Sequence, residues 1–130
     1  MQLKRVVVTG MGALTPIGNN LNAYWEGLKN GTSGCAPITY FDTEKFKTKF
    51  ACEMKGYNAQ DYFDRKEARK LDRFAQYALV SSDEAIADAG LDLEKVDKFR
   101  VGVVWGAGIG GLETFQNEVI GFASGDGTPR

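Results

Sequence analysis

The opening stretch from Arg5 to Asn20, RVVVTGMGALTPIGNN, constrains the fold most, because an apolar run ends there in a glycine turn. Three consecutive valines favour extended backbone, and a run without polar alternation is typical of a strand buried on both faces of a parallel sheet. Gly10 and Gly12 then allow the chain to turn sharply. We therefore predict a buried strand over Arg5 to Val8, followed by a tight turn.

A helix is predicted directly after this turn. Apolar residues fall on one helical face of LNAYWEGLKNG, and Gly31 can close the helix. Residues 32–63 are irregular in pattern, apart from Lys47 to Glu53, where the alternation predicts a short, half-exposed strand.

The strongest helical pattern extends from Asp64 to Gly90. Asp64 and Glu67 have the spacing of a capping box, and Gly90 stops the pattern. Apolar residues recur between them at three- and four-residue steps, which predicts one continuous helix. These residues are Leu71, Phe74, Ala75, Ala78, Leu79, Ala85, Ile86 and Ala89.

The first turns of this predicted helix carry a basic face. Its members are Arg65, Lys66, Arg69, Lys70 and Arg73. Four of them are spaced i, i+3, i+4 and i+7, so they share one side of a helix. From the residues alone, a solvated surface is the favoured interpretation, and a docking site for an acidic partner is the alternative.

A second strand, glycine turn and helix are predicted from Val101 onwards. Val101 to Trp105 form the strand, and Gly106, Gly108 and Gly111 match the G-x-G-x-x-G pattern of dinucleotide-binding proteins. A nicotinamide or flavin dehydrogenase is therefore a rival hypothesis. The acidic residue at the required spacing, Asp126, lies in a loop-like segment, so we prefer close backbone packing as the explanation of the glycines.

Composition narrows the possible functions. The 130 residues suit one domain, and 16 Lys and Arg against 17 Asp and Glu give a net charge of −1, which does not favour nucleic-acid binding. No apolar run approaches the roughly 18 residues of a membrane span, and no signal-peptide pattern is present, so we expect a cytoplasmic protein.

The chain contains no histidine, which removes Cys-His and Ser-His catalysis and the common zinc sites. Its two cysteines, Cys35 and Cys52, could pair, but without a secretory signal we expect reduced, buried, structural thiols. We therefore predict no catalytic residue, metal or cofactor in this chain.

Three motifs, in this order and spacing, resemble the N-terminal part of bacterial β-ketoacyl-acyl-carrier-protein synthases. They are VVVTGMGALTPIGNN, the helix RKEARKLDRFAQYAL and the turn GAGIGGLE, and the resemblance extends from Lys4 to the last residue. The chain looks most like the type II elongating enzymes of fatty-acid synthesis. The resemblance implies the α/β thiolase-like fold, layered α/β/α/β/α in the full protein, of which residues 1–130 would be an N-terminal, truncated part.

Enzymes of this family condense an acyl chain, held as a thioester on a cysteine, with malonyl-acyl-carrier protein and release carbon dioxide. The chemistry needs a thiolate and two histidines. Neither Cys35 nor Cys52 lies in the sequence context of that nucleophile. We therefore expect a chain that is inactive alone and exposes apolar surface where its strands lack partners.

The resemblance also assigns site residues by position. Lys66, Arg69, Lys70 and Arg130 match basic positions that receive the acidic carrier protein, and Ile109 matches a position lining the acyl pocket. From the residues alone, Ile109 reads as an ordinary core isoleucine. The implied partners are acyl- and malonyl-loaded carrier protein and a second subunit in a homodimer. A non-catalytic carrier-protein-binding module and a polyketide ketosynthase remain alternatives.

Overall fold

The computed structural model describes residues 3–125 of the chain. Within this range the helices are α1 (Leu21–Lys29), α2 (Arg65–Ala68), α3 (Arg73–Asp88) and α4 (Leu112–Ser124). A two-stranded antiparallel sheet pairs β1 (Ala36–Pro37) with β2 (Phe50–Ala51), and a 3₁₀ turn covers Ala59–Asp61.

The predicted helix after the first turn is confirmed as α1. The Asn20 side chain accepts the Ala23 N–H at 2.8 Å and caps the start of the helix. Gly31, at φ 62°, ends it, and the Thr32 N–H donates to the Gly27 carbonyl at 2.9 Å. Gly90, at φ 59°, ends α3 in the same way, as the sequence predicts.

The single helix predicted from Asp64 to Gly90 is wrong in its first part. Helix α2 ends at Ala68, and α3 begins only at Arg73. Asp72, the residue before α3, has extended backbone at ψ 153°, so the helical path is interrupted there. The residues of the apolar repeat begin at Leu71, after α2 has ended, so the repeat describes α3 and not α2.

The opening segment packs against the backbone of α3. A Cβ atom at Gly12 would lie 2.0 Å from the Ser81 carbonyl oxygen, and one at Gly10 would lie 2.4 Å from that of Ala85. The turn therefore requires glycine for close approach, as predicted. Hydrogen bonds complete the contact, because the Met11 N–H donates to the Asp88 carboxylate at 2.9 Å.

Glu84, in the middle of α3, holds two further backbone groups. Its carboxylate accepts the Ala13 N–H and the Leu21 N–H, each at 2.8 Å. Leu21 is the first residue of α1, whose N–H has no acceptor within its own helix. One side chain thus joins the opening segment, α1 and α3.

The strands predicted at Arg5 to Val8 and Val101 to Trp105 are wrong for residues 3–125. Neither segment pairs with another described segment, and strand structure requires a hydrogen-bonded partner. Val6 is 92% exposed and Val104 is 100% exposed, so the expected burial is also wrong. Of the strand predicted from Lys47 to Glu53, only Phe50–Ala51 is paired.

Exposed apolar surface is extensive, as the sequence led us to expect. The buried apolar residues of the described part are small, Ala13 and Ala78, whereas Phe99, Trp105 and Phe115 are each more than half exposed. None of the helices within residues 3–125 is long and apolar enough to cross a membrane.

We predict that Glu84→Gln lowers the free energy of unfolding by about 1–3 kcal/mol, because an amide offers one acceptor oxygen to two backbone donors. Urea unfolding followed by circular dichroism measures the change. Glu118→Gln, on the exposed surface of α4, is the matched control. Equal stability of the two variants would contradict the role of Glu84.

Candidate functional site

A basic surface lies at the junction between α2 and α3. It comprises Arg65, Lys66, Arg69 and Lys70, all of which are exposed. Arg65, Lys66 and Arg69 line one open depression. None of the ion pairs between described residues involves any member of this basic surface. Its charges are therefore available to a partner.

The first two members of the basic surface, Arg65 and Lys66, lie at the capped start of α2. Asp64 accepts the N–H groups of Lys66 and Glu67, each at 2.8 Å, and so caps the helix. The carboxylate also lies at the positive end of the helix dipole. This confirms the Asp64 side of the predicted capping box, and Arg65 and Lys66 lie in the turn that Asp64 caps.

A buried glutamine stabilises the break between α2 and α3. The other two members of the basic surface, Arg69 and Lys70, lie in this break. Gln76 is 6% exposed, and its amide nitrogen donates to the carbonyls of Ala68 at 2.9 Å and Leu71 at 3.0 Å. In a continuous helix these carbonyls would accept from backbone N–H groups four residues later. The Tyr57 hydroxyl donates to the Gln76 side-chain oxygen at 2.9 Å, which completes the network.

Arg73, the fifth residue of the predicted basic face, does not belong to the basic surface in the structure. Its guanidinium forms an ion pair with Glu113 at 3.4 Å and lies 4.7 Å from the centre of the Tyr40 ring. Partial burial pulls the pKa of Arg73 down, but Glu113, Tyr40 and Tyr77 together raise it above its usual value. The predicted face along one helix is therefore replaced by a shorter surface around a turn.

Aromatic residues surround the inner side of this junction. The rings of Tyr57 and Tyr77 meet edge to face with centroids 4.9 Å apart, and Tyr57 stacks on Tyr62 at 5.7 Å. Burial raises the pKa of both Tyr57 and Tyr77 above the ordinary tyrosine value, at which the hydroxyl is already neutral at physiological pH. The cluster gives the junction its packing and contributes no charge to the basic surface.

Ile109 lies beside the junction, in the loop before α4. It borders a depression of about 320 Å³ between the N-termini of α3 and α4, together with Leu71 and Phe74. The side chain is 76% exposed, so the interpretation as a core isoleucine is wrong for the described residues. A Cβ atom at the next residue, Gly110, would lie 2.7 Å from the Phe74 ring, so this loop approaches α3 closely.

Two polar contacts join the N-termini of α3 and α4. The Thr114 hydroxyl donates to the Asp72 carboxylate, and Arg73 pairs with Glu113. Gly111, at φ 71°, takes the left-handed conformation that starts α4. Asp72 also lies 3.0 Å from the Cβ position of Gly111, so a carboxylate stands at the end of α4 where a dinucleotide would place its phosphates.

The geometry therefore argues against the dehydrogenase hypothesis. It also corrects our explanation of two glycines, because Cβ atoms at Gly106 and Gly108 would meet no described atom within 4 Å. Two residues named in the sequence predictions lie outside the described residues. They are Asp126, the acidic residue of the dinucleotide pattern, and Arg130, a basic position of the resemblance.

The cysteines differ from the prediction in one respect. Cys35 and Cys52 are free thiols, but both are exposed rather than buried. Cys35 directly precedes β1, and Cys52 directly follows β2. Among residues 3–125, no cluster of histidine, cysteine and carboxylate side chains could hold a metal ion.

Solved structures define the class of protein. The fold matches the N-terminal part of ketosynthases, which have the thiolase-like fold. A beta-ketoacyl synthase from Burkholderia phymatum aligns with a TM-score of 0.72 and 29% identity over 97% of this chain and 31% of its own. A ketosynthase solved with its type II polyketide acyl-carrier protein and a hexaketide aligns with a TM-score of 0.71 and 26% identity, over 93% and 32% of the two chains.

The sequence assigns the family. Residues 3–127 match the family described as Beta-ketoacyl synthase, N-terminal domain, and the chain belongs to it. It is 50% identical over 115 residues to 3-oxoacyl-[acyl-carrier-protein] synthase 2 of Staphylococcus aureus and 45% identical over 118 residues to that of Synechocystis. These stretches cover 88% and 91% of this chain but 28% of each relative.

Gln76, Tyr57 and Tyr40 were missed by the sequence analysis. The available signal was a polar side chain at Gln76 within an apolar helical pattern, because a buried amide has to find hydrogen-bond partners. Nothing local identifies Tyr57 as one of those partners.

We predict that Gln76→Leu lowers the free energy of unfolding by about 1–3 kcal/mol, because two carbonyls and the Tyr57 hydroxyl lose their partner at similar side-chain volume. Chemical unfolding measures the loss. Gln60→Leu replaces an exposed glutamine and serves as the control. A Gln76 variant as stable as this control would show that the network does not hold the break.

Proposed function

We propose that this chain forms the N-terminal part of an elongating condensing enzyme. That enzyme would catalyse decarboxylative Claisen condensation of an enzyme-bound acyl thioester with malonyl-acyl-carrier protein. The support is the family assignment and 50% identity to a 3-oxoacyl-[acyl-carrier-protein] synthase, of which the chain spans 28%. We also propose that the complete enzyme is a cytoplasmic homodimer that uses no cofactor or metal.

Within this proposal, the chain contributes binding and shape rather than bond making. It contains no histidine, so the Cys-His-His set that the resemblance implies is not complete within it. In the proposed reaction, loss of carbon dioxide leaves the malonyl electron pair as an enolate, which attacks the acyl carbonyl and expels the cysteine thiolate. In this proposal the basic surface would bind the carrier protein before the condensation. Ile109 would line the acyl pocket during it.

The observation that carries the proposal is the unpaired basic surface. Carrier proteins of this class present acidic side chains and a phosphopantetheine phosphate, and Arg and Lys bind such groups through charge-assisted hydrogen bonds. Lys66, Arg69 and Lys70 would speed association and orient the carrier protein. Arg130 would add a further contact, as the resemblance implies.

A polyketide ketosynthase is the second candidate. The chain is 36% identical, over 69% of its length and 22% of the other chain, to a structure described as the ishigamide ketosynthase/chain length factor, with a TM-score of 0.62. Assays with saturated acyl chains and with polyketide intermediates on their carrier proteins distinguish the two. Elongation of saturated chains supports the first candidate.

We predict that Lys66→Glu with Lys70→Glu, in the complete enzyme at low salt, raises the KM for carrier-bound substrate by about tenfold, or ~1.4 kcal/mol, at unchanged kcat. The reason is that like charges would face the carrier protein. Steady-state kinetics at several salt concentrations measure the effect, which should shrink as salt screens the charges.

Lys45→Glu with Lys47→Glu is the matched control, because these lysines are exposed between β1 and β2. Its KM should stay close to that of the unchanged enzyme. An unchanged KM in the Lys66 and Lys70 variant at low salt would remove the docking role.

We propose that Ile109 limits the depth of the acyl pocket. We predict that Ile109→Phe in the complete enzyme lowers kcat/KM for long acyl chains by about tenfold or more while short chains are little affected, because a larger ring fills space beside the flanking glycines. Kinetics over a series of chain lengths measure this. Glu118→Phe, which places the same ring at a polar, exposed position of α4, is the control. Equal loss at every chain length would indicate misfolding instead.

A further inference from the structure

The glycine-rich loop before α4 differs in its surroundings on the two sides of Ile109. Cβ atoms at Gly106 and Gly108, which precede Ile109, would meet no described atom within 4 Å. A Cβ atom at Gly110, directly after Ile109, would lie 2.7 Å from the Phe74 ring. Close approach to α3 is therefore shown directly after Ile109 and not at the two glycines before it.

Asp72 holds the chain directly after Gly110. Gly111 has the left-handed conformation, and a Cβ atom there would lie 3.0 Å from the Asp72 carboxylate. The Thr114 hydroxyl donates to the same carboxylate. The three atoms nearest to a Cβ position at Gly110 all belong to the ring of Phe74. This ring therefore limits how closely Gly110 can approach α3.

Phe74 is suited to act as a fixed support for this loop. It lies in the first turn of α3, is half-buried, and lines the same depression of about 320 Å³ as Ile109. An aromatic side chain has few rotamers, and packed groups do not tolerate added volume without movement. One methyl group inserted between the loop and the ring would therefore displace one of them.

We propose that Phe74 is a positioning residue that, through Gly110, sets how far Ile109 reaches into the acyl pocket and so determines the preferred acyl-chain length. This inference rests on the proposed condensing function and extends it to a residue on a different element. Most of the Ile109 side chain is exposed. A shift of the loop away from α3 therefore moves Ile109 towards its open side, where the rest of the complete enzyme would complete the pocket.

Gly110→Ala in the complete enzyme tests the contact by adding one methyl group. Gly110 does not share the positive φ of Gly111, so alanine adds volume there without left-handed strain. We expect kcat/KM for long saturated acyl chains to fall by about thirtyfold, because the methyl group pushes the loop away from the ring. Short chains should stay within about twofold, and their kcat/KM reports whether the enzyme is folded.

Phe74→Leu makes room at the same place and should act in the opposite direction. We expect it to raise kcat/KM for long chains by about threefold, because the loop can move closer to α3. In the double variant, the smaller side chain at 74 leaves space for the methyl group at 110. We therefore expect kcat/KM for long chains to return to within about twofold of the unchanged enzyme, whereas independent effects would leave about a tenfold loss.

Phe46→Leu combined with Gly110→Ala is the matched control, because the Phe46 ring packs on Phe41 with centroids 5.3 Å apart and does not line the depression. It should leave the long-chain loss in place.

A loss that persists in the double variant with Phe74→Leu would overturn the inference, and so would equal losses at every chain length. Both results leave the proposed function standing if the unchanged enzyme elongates saturated chains on carrier protein. An unchanged enzyme that does not elongate them would overturn the proposed function and, with it, this inference.

Discussion

The carboxylate of Glu84 is the contact on which the arrangement of the first half of the chain depends. It accepts the backbone N–H groups of Ala13 and Leu21 from two segments that have no acceptor of their own at these positions. Gly12, in the same opening segment, approaches α3 so closely that a Cβ atom there would lie 2.0 Å from the Ser81 carbonyl oxygen. The opening turn and α1 are therefore positioned by their hydrogen bonds to helix α3.

Predictions from local patterns succeeded where the physical cause is itself local. The ends of α1 and α3 follow from a glycine in the left-handed conformation, and the start of α2 follows from the Asp64 cap. The break between α2 and α3 was not predictable in this way. It depends on Gln76, whose partner Tyr57 is 19 residues away, so the helical repeat alone could not show it.

The valine runs and the candidate site show the same limit. Val6 and Val104 have the composition of strand residues, yet a strand forms only when another segment offers a ladder, and no described segment does. The exposure of Lys66, Arg69 and Lys70 was predictable from their charge. The ion pair that removes Arg73 from the basic surface was not predictable, because its partner Glu113 lies 40 residues further along the chain.

The contacts of Asp72 and Arg73 connect two regions that the sequence separates. These residues follow the basic surface directly, and they hold Thr114 and Glu113 in the first turn of α4, next to the loop of Ile109. Two polar contacts, one of them an exposed ion pair, therefore join the segment after the basic surface to the first turn of α4. Because couplings between binding events are reciprocal, a partner at the basic surface that changed the affinity of a ligand beside Ile109 would have its own affinity changed by the same factor.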